Sequence, residues 1–459
     1  MRGTNLFPVR FCSISFAEIR SRLLLFWVMN PSLPVQGSAA LTLREFPMKR
    51  AHTAEIDFMS NLPEELLLYI MRLSSLKARA AVQTCILSKR WMHLWEFLPD
   101  LDFDLREFNN GDPEQDQQRF SCFVTTMLER RKTHILHKFR LSSGNLCKNQ
   151  HGLSIRKWVA YAIQHQVHML ELAVCLCDAD TVLTDYVFAC DSIEELHLHL
   201  SQCHPGGCLF GTEKINLPRV RKLQLNSQCI THADFISYLI SGCLLLEELW
   251  LESFDLPFDS TISSQKLKHL TLKNCRFITE LTIIAPNLVS FCFFGSIIGL
   301  QRLINQCGSL LSLTISAVGS LAGIYDIDIF PSKNVLSRLE SLEFCVPKNE
   351  PTPESPSFYT VYNLKKLSIC GHSFDRFPCI WKYLPNLEKL TVWSSCQHSK
   401  EQYSESLKWD DVLRRALIEC KRLKIVGVVF TVYDDRKRKL LEDLRQLRDV
   451  EIVISDRGF

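Results

Sequence analysis

Long apolar runs, paired metal-ligand motifs and catalytic signatures are all scarce in this 459-residue sequence. The longest apolar stretch near the start, Leu23 to Met29, is seven residues long, against the ~20 needed to cross a bilayer. No membrane span is expected there. Basic excess is missing too: of the formal charge of +3, residues 1–47 contribute five Arg against two acids, which leaves 48 basic and 48 acidic residues in the remainder. An electroneutral body does not carry the usual footprint of a nucleic-acid binder. No nucleophile elbow, phosphate loop, His-Glu-x-x-His string or kinase set is present. Cys175-x-Cys177 and Cys203-His204 with Cys208 have no second pair at zinc spacing. Neither a metal nor a cofactor is expected. The 19 Cys are an odd count without the dense spacing of a small secreted scaffold, so they read as reduced thiols. The sole Asn-x-Ser/Thr triplet, Asn30-Pro31-Ser32, is blocked by its proline. These features point to an intracellular chain without enzymatic chemistry of its own.

What is abundant is core material: 46% hydrophobic against 22% charged residues, enough to fold around a large interior. Residues 1–47 have the Arg and Ser but few acids of a transit peptide. The preferred reading is a disordered or non-native extension, with Met48 as the natural start.

The strongest local signal lies at 56–104. Asn61-Leu62-Pro63-Glu64 places a cap-like residue three positions before Glu64 and a proline in the first turn, which predicts a helix start. Leu62, Leu66, Leu67, Ile70 and Leu73 recur at spacings that form an apolar stripe. A second helix fits Lys77 to Val82, and a third is expected from Ser88, carrying Trp91, Leu94 and Trp95 on one face. Three short helices cannot bury this much apolar surface by themselves. The excess predicts an interface.

Leu62-Pro63-Glu64-Glu65-Leu66, the run Ala81 to Trp91 containing Leu87-Ser88-Lys89-Arg90-Trp91, Leu94-Trp95, and Leu98-Pro99-Asp100-Leu101-Asp102-Phe103-Asp104 resemble the F-box of plant F-box/leucine-rich-repeat proteins. The resemblance implies docking onto a Skp-type adaptor, and through it onto a cullin and a RING subunit of an SCF-type ubiquitin ligase. It also implies an adaptor-binding set of Leu62, Pro63, Leu66, Ile70, Val82, Cys85, Leu87, Trp91 and Leu94, supplying apolar contacts or the small core beneath them. Trp91 and Trp95 are assigned to that core. Arg79 departs from the acidic or neutral residue that the family often has at that place.

From about 136 to the end, the pattern apolar-x-x-apolar-x-apolar repeats. Clear instances end in Leu196-x-Leu198, Leu223-x-Leu225, Leu249-x-Leu251, Leu270-x-Leu272, Phe291-x-Phe293, Leu313-x-Ile315, Leu342-x-Phe344, Leu367-x-Ile369 and Leu390-x-Val392. Weaker ones are Phe139-x-Leu141, Leu170-x-Leu172, Val426-x-Val428 and Val450-x-Ile452. Steps between anchors run from 21 to 36 residues with a mean near 25.5, the leucine-rich-repeat period. The predicted fold class is α/β: a small three-helix F-box module followed by an irregular leucine-rich-repeat solenoid of about 12–13 repeats. Asp234 to Cys243, Leu300 to Cys307, Trp409 to Cys420 and Arg436 to Leu447 read as helical returns, three of them ending in a Cys suited to a buried repeat junction. Arg106 to Gln118 reads as part of a polar linker over 105–120, Pro347 to Thr360 and Ser394 to Ser406 read as loops, and 407–459 stands as the end of the array or a C-terminal cap.

Strand side chains alternate faces, so residues between and just after the inward leucines should line the concave surface. They are His197, His199, Gln224, Asn226, Trp250, Glu252, Thr271, Lys273, Cys292, Phe294, Thr314, Glu343, Ser368, Thr391 and Trp393. Large aromatics anchor binding patches, which nominates Trp250, Phe294 and Trp393 as a substrate-binding set. The functional expectation is a non-catalytic substrate-recognition subunit that holds a target protein near a ubiquitin-loaded enzyme. Alternatives are a non-ligase interaction scaffold and a small-molecule co-receptor. Cysteine usage and the resemblance imply the cytoplasm or nucleus.

Overall fold

The computed structural model describes residues 62–456 except 74–75, 144–151, 177–185, 203–214, 228–234, 255, 257–259, 277–280, 296–299, 318–331, 346–359, 371–379, 394–408 and 431–449. The 1–47 extension, the loops at 347–360 and 394–406 (save Thr360), the Cys203-His204-Cys208 group and the return expected at 436–447 fall outside the described residues. Chain contacts divide the molecule into a unit ending at Arg140 and a unit from Leu141 onward.

In the first unit, α1 (Glu64–Leu73) begins directly after Pro63, whose carbonyl accepts the amides of Leu66 and Leu67. Glu64 and Glu65 sit in its first turn and Arg72 in its last, the polarity that the helix dipole favours. Helix α2 (Ala78–Gln83) runs into a 3-10 turn at Thr84–Ile86. The helix expected from Ser88 is absent. Amides of Trp91, Met92 and Leu94 bond the carbonyls of Ser88, Lys89 and Trp91, and a 3-10 turn follows at Leu94–Phe97. With three residues per turn, Trp91 and Leu94 stack on the same inward side. Strand β1 (Asp100–Asp104) buries Leu101 and Phe103.

The supposed linker is also a departure. A 3-10 turn at Leu105–Phe108 leads to the 18-residue α3 (Pro113–Arg130). The Asp112 carboxylate accepts the amides of Glu114 (3.1 Å) and Gln115 (3.3 Å), and proline occupies the first turn. Phe120, Val124, Met127 and Leu128 turn inward. Phe103, Phe108, Phe120, Phe123 and Phe139 form a chain of tilted and edge-on ring contacts at 5.3–6.3 Å. Thus α3 lays its apolar side on β1 and the 3-10 turn. Strand β2 (Lys138–Ser142) neighbours β1 in sheet order.

In the second unit, α4 (Gly152–Gln164) precedes β3 (Met169–Leu176). Then come β4 (Glu195–Gln202), β5 (Lys222–Ser227), α5 (Phe235–Gly242), β6 (Glu248–Glu252), β7 (Thr261–Ser263) and β8 (His269–Lys273). Next are β9 (Thr282–Ile284), β10 (Ser290–Gly295), α6 (Leu300–Gln306), β11 (Ser312–Ala317), α7 (Lys333–Leu336) and β12 (Ser341–Cys345). The chain continues through β13 (Lys366–Cys370), β14 (Lys389–Trp393), α8 (Trp409–Glu419), β15 (Ile425–Phe430) and β16 (Glu451–Asp456).

The long strands pair in parallel, each with the strand of the next repeat, and among the described strands only β7 and β9 stand apart as a separate parallel pair. Register follows the repeat. Leu196 faces Leu223, Leu249 faces Leu270, Phe291 faces Leu313, Leu367 faces Leu390, and Leu390 faces Val426. The last repeat is offset from the expected anchors: Val426 and Val428 face Ile452 and Ile454, so Val450 lies before the strand. Return conformation tracks repeat length. Steps of 21 residues between Leu249, Leu270 and Phe291 carry the short strands β7 and β9, whereas α- or 3-10-helical segments lie in the returns before β3, β6, β11, β12, β14 and β15.

Asparagines rivet adjacent turns. Nδ2 of Asn287, Asn363 and Asn386 donates to the carbonyls of Gln265 (2.9 Å), Ser337 (2.6 Å) and Tyr362 (2.7 Å), one repeat back. The expected junction cysteines Cys243, Cys307 and Cys420 are buried. Burial pushes the thiols of Cys243 and Cys307 up to about 12. Cys175 is disulfide-bonded, a departure from the reading of reduced thiols throughout.

Candidate functional site

Two surfaces follow from this framework, one in each unit. On α1 the apolar stripe divides. Leu67 and Met71, one turn apart, are buried at 0% and 2% exposure, whereas Leu66 is 46% exposed and Tyr69 56%. Pro63 is exposed, and Leu62 and Ile70 are half-buried beside them. Val82, Cys85 and Leu87 are half-buried, while Trp91, Leu94 and Trp95 belong to the core. The nominated adaptor-binding residues therefore separate into an outer group on α1 and a supporting floor. Sequence reasoning missed Tyr69, three positions after Leu66 and so on the same helix face. Counting only aliphatic positions hid it.

Charge holds this helical module to β1. Asp100, Asp102 and Asp104 alternate with the buried Leu101 and Phe103. Asp100 Oδ2 accepts from Arg72 Nε at 2.8 Å, and Asp102 Oδ1 from Arg140 at 2.8 Å. Asp104, fully buried, receives Lys77 Nζ (2.9 Å) and the Arg106 guanidinium (2.8 Å), with the Arg106 amide on its other oxygen at 3.0 Å. Burial alone would raise this carboxyl, but the hydrogen bonds from Arg106 and Lys77 outweigh it and hold the group well below the usual carboxylate range. Arg79 has a structural role: its guanidinium donates to the Glu107 carbonyl and lies 4.9 Å from the Phe108 ring centroid. Arg90 donates to the Leu62 carbonyl, fixing the chain where α1 begins.

The second surface is the outward side of the parallel sheet. Burial alternates along the strands as expected: in β6, Leu249 and Leu251 are buried while Trp250 and Glu252 are half-buried. Trp250, Phe294 and Trp393 all lie on this side and are all half-buried. Their separation differs. Trp250 and Phe294 are two strands apart, roughly 10 Å, whereas Trp393 is four strands beyond Phe294, roughly 19 Å at the usual ~4.8 Å spacing. The sheet thus brings two of the three together. Between them, Glu252 accepts the Trp250 indole N–H at 3.4 Å and pairs with Lys273 Nζ at 2.8 Å. Phe294 is the register neighbour of Lys273. Among the described residues, no cluster of His, Cys, Asp and Glu could hold a metal ion, and no helix is long and apolar enough to cross a membrane.

Comparison with known proteins extends the repeat assignment. Residues 155–307 match the family model for the leucine-rich repeats of FBD-associated F-box protein At5g56370. The chain is 29% identical over 385 residues to an Arabidopsis thaliana protein described as F-box/LRR-repeat protein At3g49150, an alignment covering 78% of this chain and 57% of that relative. It is 26% identical to F-box/FBD/LRR-repeat protein At5g22660 of the same plant, covering 79% and 82%. FBD-associated F-box protein At1g66310, also from Arabidopsis thaliana, is 26% identical with 74% and 77% covered. Parallel strands in leucine register, buried junction cysteines and these relatives agree, and the chain is similar to plant F-box/leucine-rich-repeat proteins.

Proposed function

We propose that this protein is the substrate-recognition subunit of an SCF-type ubiquitin ligase, with an F-box at 56–104 that docks a Skp-type adaptor and a repeat face that holds a target protein. The observation that carries this reading is the divided stripe of α1. Pro63, Leu66 and Tyr69 stay outside while Leu67, Met71, Trp91 and Leu94 form a floor beneath, in a segment whose sequence resembles the F-box. An exposed cluster of this kind over a packed floor suits a protein interface. The names of its relatives likewise point to an adaptor-type, non-catalytic role. Through the adaptor, a cullin and a RING subunit would bring the ubiquitin-loaded enzyme, and this chain contributes proximity. Its expected setting is the cytoplasm or nucleus.

Co-purification with a Skp-type adaptor tests the front half. Leu66→Asp with Tyr69→Asp should remove adaptor binding by at least about a hundredfold, as loss of central apolar anchors does, while the thermal unfolding midpoint stays close to that of the parent. Retained adaptor binding in the double variant would overturn the assignment. For the rear half, Trp250→Ala with Phe294→Ala should reduce target capture, read by proximity labelling with the proteasome inhibited, and leave adaptor binding intact. Unchanged capture would remove that surface from the reading.

A further inference from the structure

The link between α3 and β2 carries a sequence feature that neither the fold nor the adaptor reading uses. Arg130-Arg131-Lys132-Thr133 sets three consecutive cations directly before a hydroxyl. Helix α3 ends at Arg130, Arg131 is extended with φ −63° and ψ 136°, and β2 begins only at Lys138. Arg130 and Lys132 are exposed and Thr133 is half-buried. Thr133 Oγ1 accepts the Ile135 amide at 3.3 Å, which leaves its own proton free to be drawn off by a base. Other hydroxyls three residues after a cation do not share this setting. Ser341 after Arg338 and Ser368 after Lys365 lie inside β12 and β13, each paired in the sheet on both sides. An enzyme that must close around the acceptor hydroxyl would have to open the sheet to reach them.

The surroundings of Thr133 give a phosphate something to act on. Lys132, the residue before it, ties this link to the 3-10 turn at Leu94–Phe97. Its amide donates to the Glu96 carbonyl at 2.9 Å, and its Nζ meets Glu96 Oε2 at 2.6 Å. The other Glu96 carboxylate oxygen lies 2.8 Å from His93 Nδ1. Glu96 is 6% exposed, and its neighbours in the turn, Leu94 and Trp95, are core residues. A mostly buried carboxylate in the helical module is therefore balanced by the lysine that adjoins Thr133.

We propose that Thr133 is a phosphorylation site for an arginine-directed protein kinase, and that its phosphate takes Lys132 from Glu96. In the transfer, Thr133 Oγ1 attacks the γ-phosphorus of ATP, the bond from that phosphorus to the ADP oxygen breaks, and the hydroxyl proton passes to the kinase's catalytic base. Phosphothreonine carries roughly 1.5 to 2 negative charges, so Lys132 gains a more highly charged partner than one carboxylate. Glu96 is then left with His93, whose side chain is 63% exposed, and faces a second anion. A carboxylate held out of water and short of its cation destabilises the turn that carries it. Phosphorylation thereby loosens the helical module and weakens the surface assigned above to the adaptor; this last step rests on the ligase reading.

The purified full chain, incubated with ATP and the catalytic subunit of cyclic-AMP-dependent protein kinase, tests the site. Peptide mass spectrometry should place a phosphate on Thr133. Arg130→Gln, at the exposed end of α3, should cut incorporation there by at least about tenfold, as loss of a charge contact to a partner does. Phosphorylation should lower the thermal midpoint of the parent chain, and should shift clearly less that of Lys132→Met or Glu96→Gln, in which the ion pair is already gone. No phosphate on Thr133, whether or not a peptide of residues 129–137 is modified under the same conditions, would overturn the proposal. So would an equal midpoint shift in the parent and in both variants. Adaptor co-purification with the unmodified parent reports separately on the ligase reading, and its failure would leave the phosphate and midpoint results standing. Where the parent does bind, the phosphorylated chain should bind more weakly than Thr133→Ala treated in the same way; equal binding would overturn the regulatory step.

Discussion

The two units bury different things. In the first, a carboxylate lies fully buried among Lys77 and Arg106, and irregular 3-10 turns carry Trp91 and Leu94 into a mixed aromatic core. In the second, leucines and thiols fill the interior, and ion pairs such as Glu247 with Arg221 and Lys268 stay at the sheet edge, where their members remain partly exposed. A single-copy module has no neighbouring repeat to complete its core, so its position depends on specific charged contacts. A stacked array completes each core with the next copy and needs only register and shape.

The largest test of that contrast is Asp104. Replacement by Ala removes the charge-assisted hydrogen bonds that the buried carboxylate accepts from Lys77 and Arg106, and because those partners are 39% and 77% exposed and rehydrate, the loss is about 2 kcal/mol. Chemical denaturation of the full chain should show this loss in the transition that reports on the first unit. Acid gives an independent reading. Because the folded carboxyl lies below its unfolded value of about 3.9, its contribution is present at neutral pH and is lost as pH falls from about 5 toward the folded value. Asp104→Asn should therefore make stability less dependent on pH over that window. An unchanged acid profile would show that the charge does not hold the unit.

In the array the weak point should be shape. A Cβ built at Gly242, at the end of α5, would lie 2.1 Å from the Ile215 carbonyl oxygen, while the Gly242 carbonyl accepts the Leu217 amide at 2.9 Å. Both neighbours are backbone and cannot step aside. Gly242→Ala should cost about 2 kcal/mol by overpacking, read as a lower thermal midpoint, although it adds only a methyl group and no charge. A neutral outcome would mean that the return segment moves freely against the strand, and that register alone holds the stack.

This division explains what could be read from the chain beforehand. The pairing of Leu196 with Leu223 and of Phe291 with Leu313 was visible because each strand repeats its neighbour's pattern, so an error in one repeat is exposed by the next. The final strand has only one neighbour, and its run of β-branched residues allowed a two-residue slip from Ile452 to Val450. In the first unit no second copy exists for comparison. Asp112-Pro113-Glu114 carried the signal of a helix start, but the polar residues before Phe120 outweighed it, and α3 read as a linker. The tight turns after Ser88 share a three-residue spacing with helices, so Trp91 and Trp95 read as core, which they are, but within the wrong element. Side-chain partners such as Arg79 with Phe108 depend on tertiary placement that no local pattern encodes. The aromatic trio was legible as a face but not as a patch, because strand order sets Trp393 apart.

The smallest effect should come from the sheet edge. Glu247 accepts from Lys268 at 2.7 Å and from Arg221 at 3.0 Å, and these bonds, Lys268 first, hold its carboxyl below the ordinary range. On distances alone it looks as well bound as Asp104. Its side chain is 30% exposed, however, and its partners are 62% and 51% exposed, so water and salt compete for every charge in the set. Glu247→Gln should leave the thermal midpoint unchanged within error at physiological salt, and any difference seen at low salt should vanish as salt is added. A loss comparable to that of Asp104→Ala, persisting at high salt, would mean that the repeats too are held by specific charge and not by stacking.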